Sequence, residues 1–262
     1  LKIALDNNCL KEAVMAYNSL AVGLPSKEWR RSKECLEKGR ELAIKVGDIW
    51  YQSRIGSNLA TTMIFGGDIG KALPLVEENL ALARKAGQLS IISSGLRDFG
   101  EVHIILGELD KSDRYFQESW SIAERSKNFQ QMAGNMNDFG WMCLSKEEYA
   151  KAAEWLERLS THLKKAGSER EFTQQQTSSW LISAYIELGE IEKANNWIAI
   201  LRKSALKAAD DYLVIASNTL EAMVLRAQKK WEESIKSFEK ALEQWRALDL
   251  GGWHMYFFAR MV

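Results

Sequence analysis

Large apolar, small and acidic residues recur along this chain at an interval of about 40 residues. With Lys27, Gly67, Gly107, Glu147, Gly189 and Lys229 as anchors, the spacings are 40, 40, 40, 42 and 40. Two residues past each anchor stand Trp29, Ile69, Leu109, Tyr149, Ile191 and Trp231, all large and apolar. Five past it, Ser32, Ala72, Ser112, Ala152, Ala194 and Ser234 are small, and nine past it, Leu36, Val76, Phe116, Leu156, Ile198 and Phe238 are large again. Offsets of two, five and nine share one stripe of a helix, and a small residue on that stripe lets another helix approach. Just past the anchors, Glu28, Asp68, Glu108, Glu148 and Glu190 place negative charge where a helix N-terminus favours it. Twenty residues past the anchors, Gly47, Gly87 and Gly167 can take the left-handed conformation that ends a helix. The second helix of each unit is thus about 18 residues, or roughly 27 Å, long.

A first helix precedes each anchor. Its inward stripe carries Leu20, Ala60, Gly100, Gly140, Ile182 and Ala222 seven residues upstream, and Gly23, Met63, His103, Cys143, Tyr185 and Leu225 four upstream. Short connections make the two helices antiparallel, and successive pairs must stack on one another. No stretch alternates polar and apolar residues as a strand does, and only Pro25 and Pro74 interrupt a helix-forming composition. Pro74, inside a second helix, predicts either a late start or a bend.

The constellation resembles the tetratricopeptide repeat, whose first helix carries a Leu-Gly and Tyr pattern and whose second follows a Gly-Asp or Gly-Glu turn. Leu181 to Ile198 and Gly107 to Phe116 are the closest matches. The familiar unit has 34 residues. These units are similar to the longer-helix subtype of kinesin light chains, cell-polarity adaptors and the regulatory tails of bacterial ATPases, cyclases and transcriptional activators. The resemblance implies an all-α, right-handed superhelical solenoid of antiparallel helix pairs covering the whole chain as one domain. Its repeats fall at about 9–48, 49–88, 89–128, 129–168, 169–210 and 211–250. Residues 1–8 end a preceding helix and 251–262 begin a further repeat, so both ends read as cut from something longer. Departures occur where the first repeat replaces the Gly turn with Gly23, Leu24, Pro25, Ser26 and Lys27, and where repeats four and six lack the turn glycine.

Charge adds little, since 35 Lys and Arg balance 35 Asp and Glu and favour neither nucleic acid nor an acidic membrane surface. No apolar run approaches the roughly 18 to 20 residues of a membrane span, and a cytoplasmic location is expected. Cys9, Cys35 and Cys143 fit neither a disulfide framework nor a zinc spacing. The Asp-Phe-Gly triplet at Asp98 and again at Asp138 matches the magnesium-binding triplet of a kinase, but neither a Gly-rich loop with its lysine nor a His-Arg-Asp accompanies it. Repetition at 40 residues makes Phe99, Gly100, Phe139 and Gly140 packing positions. The stretch from Gly66 to Ala72 lacks the early glycine and the hydroxyl of a phosphate-binding loop. His103, His162 and His254 have no metal-like spacing, and no nucleophile elbow is present. The ten Trp residues recur mostly at packing offsets. Arg30, Arg31 and Lys33, interleaved with Glu28, Glu34 and Glu37, read as a solvated face. Neither an enzyme nor a cofactor site is expected.

The remaining signal lies on the face of the first helices at offsets of minus thirteen, ten, nine, six and two. Nine residues before the anchors stand Asn18, Asn58, Asp98 and Asp138, then Trp180 and Leu220. In tetratricopeptide proteins the matching position lies in the concave groove, and an Asn there hydrogen-bonds the backbone of an extended peptide; the resemblance assigns that role to Asn18 and Asn58. Asp98 and Asp138 accept without donating, which favours a partner offering N–H groups or basic side chains. Tyr17, Arg54, Arg97, Glu101, Asn137 and Trp141 surround the row, Tyr17 and Trp141 supplying apolar contact. The competing expectation is that these groups solvate an inner face and pair among themselves. The functional expectation is a protein-interaction scaffold binding a peptide or a domain of its parent chain; the alternative is a small-molecule sensor within a bacterial ATPase, cyclase or transcriptional activator.

Overall fold

The computed structural model describes residues 1–24, 28–167 and 177–248. Those residues are helical and carry no strand. They divide into two compact units, 1–132 and 133–249. The first contains α1 (Lys2–Asp6), α2 (Leu10–Gly23), α3 (Trp29–Val46), α4 (Ile49–Phe65), α5 (Ile69–Ala86), α6 (Leu89–Ile105) and α7 (Leu109–Arg125). Helix α8 (Phe129–Ser145) passes from the first unit into the second, which continues with α9 (Tyr149–Lys165), α10 (Thr177–Glu187), α11 (Ile191–Ala208), α12 (Asp211–Ala227) and α13 (Trp231–Ala247). The expected helix at 251–262, the first-repeat turn at 25–27, and His254 lie outside the described residues.

Helices pair as hairpins, α4 with α5 and α6 with α7 in the first unit, α10 with α11 and α12 with α13 in the second. Second helices also pack on the first helix of the next hairpin, α3 on α4 and α5 on α6 in the first unit, α9 on α10 and α11 on α12 in the second. The close approach within a hairpin is set by size. A Cβ on Gly100 would come within 2.1 Å of the Phe116 ring, and one on Gly140 within 2.5 Å of Leu156. Both pairs join the positions seven before and nine past the anchor, and both large partners are fully buried. Phe99 and Phe139 are buried beside them, so the repeated Asp-Phe-Gly triplet is a packing device. Small polar groups also close hairpins of the first unit: Ser53 donates to the Asn79 carbonyl (2.9 Å) between α4 and α5, and the Ser93 and Ser119 hydroxyls meet at 2.8 Å between α6 and α7.

Hairpin turns share one backbone geometry whatever residue occupies them. Gly67, Gly107 and Gly189 have φ of 86°, 76° and 75°, and Glu147 and Lys229 adopt 60° and 62° at the same register. The turns of repeats four and six are therefore the same left-handed turn, held by a non-glycine residue at a cost of roughly 1–2 kcal/mol each. The acidic residue that follows pairs with a cation three residues on in five successive hairpins. These pairs are Glu28 with Arg31 (2.8 Å), Asp68 with Lys71 (3.4 Å), Glu108 with Lys111 (3.0 Å), Glu148 with Lys151 (2.9 Å) and Glu190 with Lys193 (2.5 Å). Lys111, and then the Nδ1 of His103 at 2.6 Å, hold the Glu108 carboxyl below its ordinary range. His103 is buried and stacks on Tyr115, a structural histidine at a hairpin turn.

Helix α5 starts at Ile69 and runs through Pro74, so of the two outcomes expected at that proline the late start does not occur. Two expectations are corrected. Leu20 is exposed, with Asn18 and Ala21 buried in its place. Trp231, expected in the core with its equivalents, is 59% exposed.

Substituting Gly100→Ala should destabilise the chain by about 1–3 kcal/mol through overpacking against Phe116. The exposed helical Gly70→Ala, which meets nothing within 4 Å, should be stabilising by up to about 1 kcal/mol; urea denaturation checks both. Glu147→Gly and Lys229→Gly should each raise stability by about 1 kcal/mol by removing the left-handed strain, and a fall in the urea midpoint would reject that account. Glu108 contributes stability above its unfolded pKa, near 4.5, that is lost as pH falls through the lower folded value. Carbon-detected carboxyl titration should place its midpoint below 4.5, and Lys111→Ala should move it upward.

Candidate functional site

In the first unit the first helices α2, α4 and α6 carry the expected row on neighbouring surfaces. The Asn58 Nδ2 donates to the Asn18 Oδ1 at 2.8 Å, linking α4 to α2. One residue earlier on α4, the Ser57 hydroxyl donates to the Asp98 carboxylate and links α4 to α6. From the first turn of α8, Gln131 donates to the Ser94 hydroxyl on α6 at 3.0 Å. Polar side chains thus stitch successive first helices together, using the spare capacity of groups that the helix backbone leaves facing outward. Part of the row pairs with itself.

What remains available differs from residue to residue. Asn18 is buried beneath Asn58, whereas Asn58 and Asp98 are half-buried and keep a face toward solvent. Arg97 lies 3.8 Å from Glu101, both half-buried. Arg54 is exposed, its guanidinium 5.2 Å over the Trp50 ring. Tyr17 belongs to the hairpin core, packed against the cluster that contains Val14, Cys35 and Leu36, with its Cβ 2.9 Å from where a Gly39 Cβ would stand. The first unit therefore presents Arg54, Asn58, Arg97, Asp98 and Glu101 on two adjacent helices, two cations beside two carboxylates and an amide.

The second unit treats the same register differently. Asp138 is fully buried, and Asn137 donates to it at 3.4 Å while accepting from Thr177 of α10 at 2.7 Å. Trp141 is also buried, its ring stacked on Trp180 with centroids 5.5 Å apart. Trp180 and Leu220, which continue the minus-nine row, are buried too. The acceptor role expected of Asp138 and the apolar contact expected of Trp141 are taken up inside the protein, since neighbouring first helices close over them. Tyr185, buried and bonded to Glu157 at 2.6 Å, has its phenol pushed up by burial and by that carboxylate, so it stays a neutral donor.

Ser57, Ser94, Gln131 and Thr177 were missed by sequence reasoning. Their signal was a second polar residue within two turns of the row, 37 to 41 residues from its partner. Among the described residues no group of three or more His, Cys, Asp or Glu side chains is placed to hold a metal ion. Among them, too, no helix is long and apolar enough to cross a membrane.

No protein-family model and no curated protein sequence matches the chain. Solved structures do. Aspartyl phosphate phosphatase F from Bacillus subtilis superposes with a TM-score of 0.67 at 15% identity, covering 95% of this chain and 66% of that one. A Rap protein complexed with competence and sporulation factor gives a TM-score of 0.67 at 12% identity, over 90% of this chain and 69% of the other. A signal transduction ATPase with a tetratricopeptide repeat sensor, from Pyrococcus horikoshii, gives 0.56 at 20% identity, over 89% and 36%. This chain spans about two thirds of the first two proteins and about a third of the last. At such identities the likeness is one of architecture. The chain has the all-α, helical-hairpin solenoid fold of tetratricopeptide-like repeat proteins.

Proposed function

We propose that this chain is a non-catalytic interaction scaffold, a segment of a larger regulatory protein, that binds a peptide or a domain of its parent chain across α4 and α6. The observation that carries the reading is the pair of side-chain links, Asn58 to Asn18 and Ser57 to Asp98, that hold polar groups in set positions on a half-exposed helical face. Groups fixed before binding lose less conformational entropy on contact. Asn58 and Asp98 would meet partner N–H groups, and Arg54 and Arg97 would meet partner carbonyls or carboxylates. Asn18 and Tyr17 would support the face from within. The Rap protein of similar fold was solved with competence and sporulation factor bound, which agrees with an interaction role. The phosphatase in the name of the Bacillus subtilis protein is a property of that protein.

A small-molecule sensor is the second reading, favoured by the sensor named in the Pyrococcus horikoshii protein. One titration separates the two. A peptide array tiling the parent protein should yield a segment whose affinity falls about tenfold or more on Arg54→Ala, given the worth of a hydrogen bond to a charged group, while the melting temperature stays unchanged because Arg54 is exposed. Asn58→Ala combined with Asp98→Ala should abolish that binding and also lower the melting temperature. Metabolites that bind where no peptide does would favour the sensor. If neither variant alters any interaction of the intact parent protein, both readings of this face fail.

A further inference from the structure

Four apolar positions of the first unit recur as a polar cluster in the second. Leu80 of α5, Leu96 and Phe99 of α6 and Ile122 of α7 belong to one buried apolar cluster. Three repeats on, each 122 residues later, stand Arg202 of α11, Asn218 and Glu221 of α12 and Gln244 of α13. Ser217 likewise replaces Gly95. At the register of Glu221 the preceding hairpins carry Leu59, Phe99, Phe139 and Leu181, all buried. One polar residue alone at such a seam would be left without a partner, at a cost in stability. Four changed together can satisfy one another.

The replacements do bond to one another. Arg202 donates through Nε to the Ser217 hydroxyl (3.2 Å) and through Nη2 to the Asn218 Oδ1 (2.6 Å), and its Nη1 pairs with the Glu221 carboxylate. The Asn218 Nδ2 donates to the Gln244 Oε1 at 3.1 Å. One guanidinium on α11 thus holds α12, and α12 holds α13. Toward the end of α12, Arg226 pairs with Glu187 of α10 at 2.9 Å. The Arg202 and Glu221 side chains stay 33% and 44% exposed, so water reaches the cluster. Opening the apolar seam of the first unit would bring Leu80, Leu96, Phe99 and Ile122 into water at the full hydrophobic cost. Opening the polar one exchanges its hydrogen bonds for bonds to water, a small net loss for each, and a half-exposed ion pair adds little.

We infer that the Arg202, Asn218, Glu221 and Gln244 cluster is a latch, from which α12 and α13 separate from α11 as one hairpin ahead of the rest of the second unit. The device is independent of the binding face on α4 and α6.

Native-state hydrogen exchange read by mass spectrometry on the full chain tests it. In the parent chain, α12 and α13 peptides should exchange together and faster than those of α10 and α11. Restoring the apolar set with Arg202→Leu, Asn218→Leu, Glu221→Phe and Gln244→Ile should slow α12 and α13 about tenfold or more, since well-packed apolar groups commonly hold better than a polar network they replace. Peptides of α4 and α5 should not change. Glu221→Gln, which weakens the latch and keeps its shape, should instead speed α12 and α13 about threefold, the scale of a half-exposed ion pair. This conservative variant decides the outcome if the fourfold variant fails to fold. Parent rates of α12 and α13 no faster than those of α10 and α11 overturn the inference, as do rates that Glu221→Gln leaves unaltered. A fourfold variant that folds and opens no more slowly than the parent overturns it too.

Discussion

The structure depends on how closely the two helices of a hairpin can approach. Where the first helix has glycine, as at Gly100 and Gly140, the second fills the space with Phe116 or Leu156, leaving no room for even one methyl group. Protein interiors tolerate neither void nor overlap, so this match of small against large sets hairpin spacing. Hairpin spacing in turn sets where the next first helix lies. The links between Asn58 and Asn18 and between Ser57 and Asp98 form only because adjacent first helices stand within reach of a short polar side chain.

Turn geometry follows from that packing and not from local preference. Glu147 and Lys229 take the left-handed conformation that Gly67, Gly107 and Gly189 adopt at low cost. Tertiary contacts along two helices of some 17 residues outweigh a strain of roughly 1–2 kcal/mol at one position. The salt bridges that follow each turn are exposed and individually weak. Their recurrence in five hairpins marks the register more than it stabilises it.

The inner row shows how one register can serve two ends. In the first unit Asn58 and Asp98 are tied to neighbours yet half-exposed, a surface with set polar groups. In the second, Asp138, Trp141 and Trp180 lie at equivalent or nearby register and are buried. Bulky aromatic residues fill the space between first helices there and draw Asp138 inside, where Asn137 and Thr177 complete a polar chain. A column of similar residues in the sequence thus becomes a surface in one unit and an internal layer in the other.

The 40-residue recurrence by itself determined the helical class, the hairpin register, the packing role of the Asp-Phe-Gly triplets and the helix-ending glycines at Gly47 and Gly87, because each follows from a period that any long amphipathic helix must obey. Burial along the inner row, the exposure of Leu20 on α2, the common turn at Glu147 and Lys229, and the pairing of Asn58 and Asp98 with neighbours were decided only by tertiary structure. Periodicity tells which face of a helix a residue occupies. Whether that face meets solvent or another helix depends on the volume of residues 40 positions away, and that becomes definite only when the hairpins are stacked.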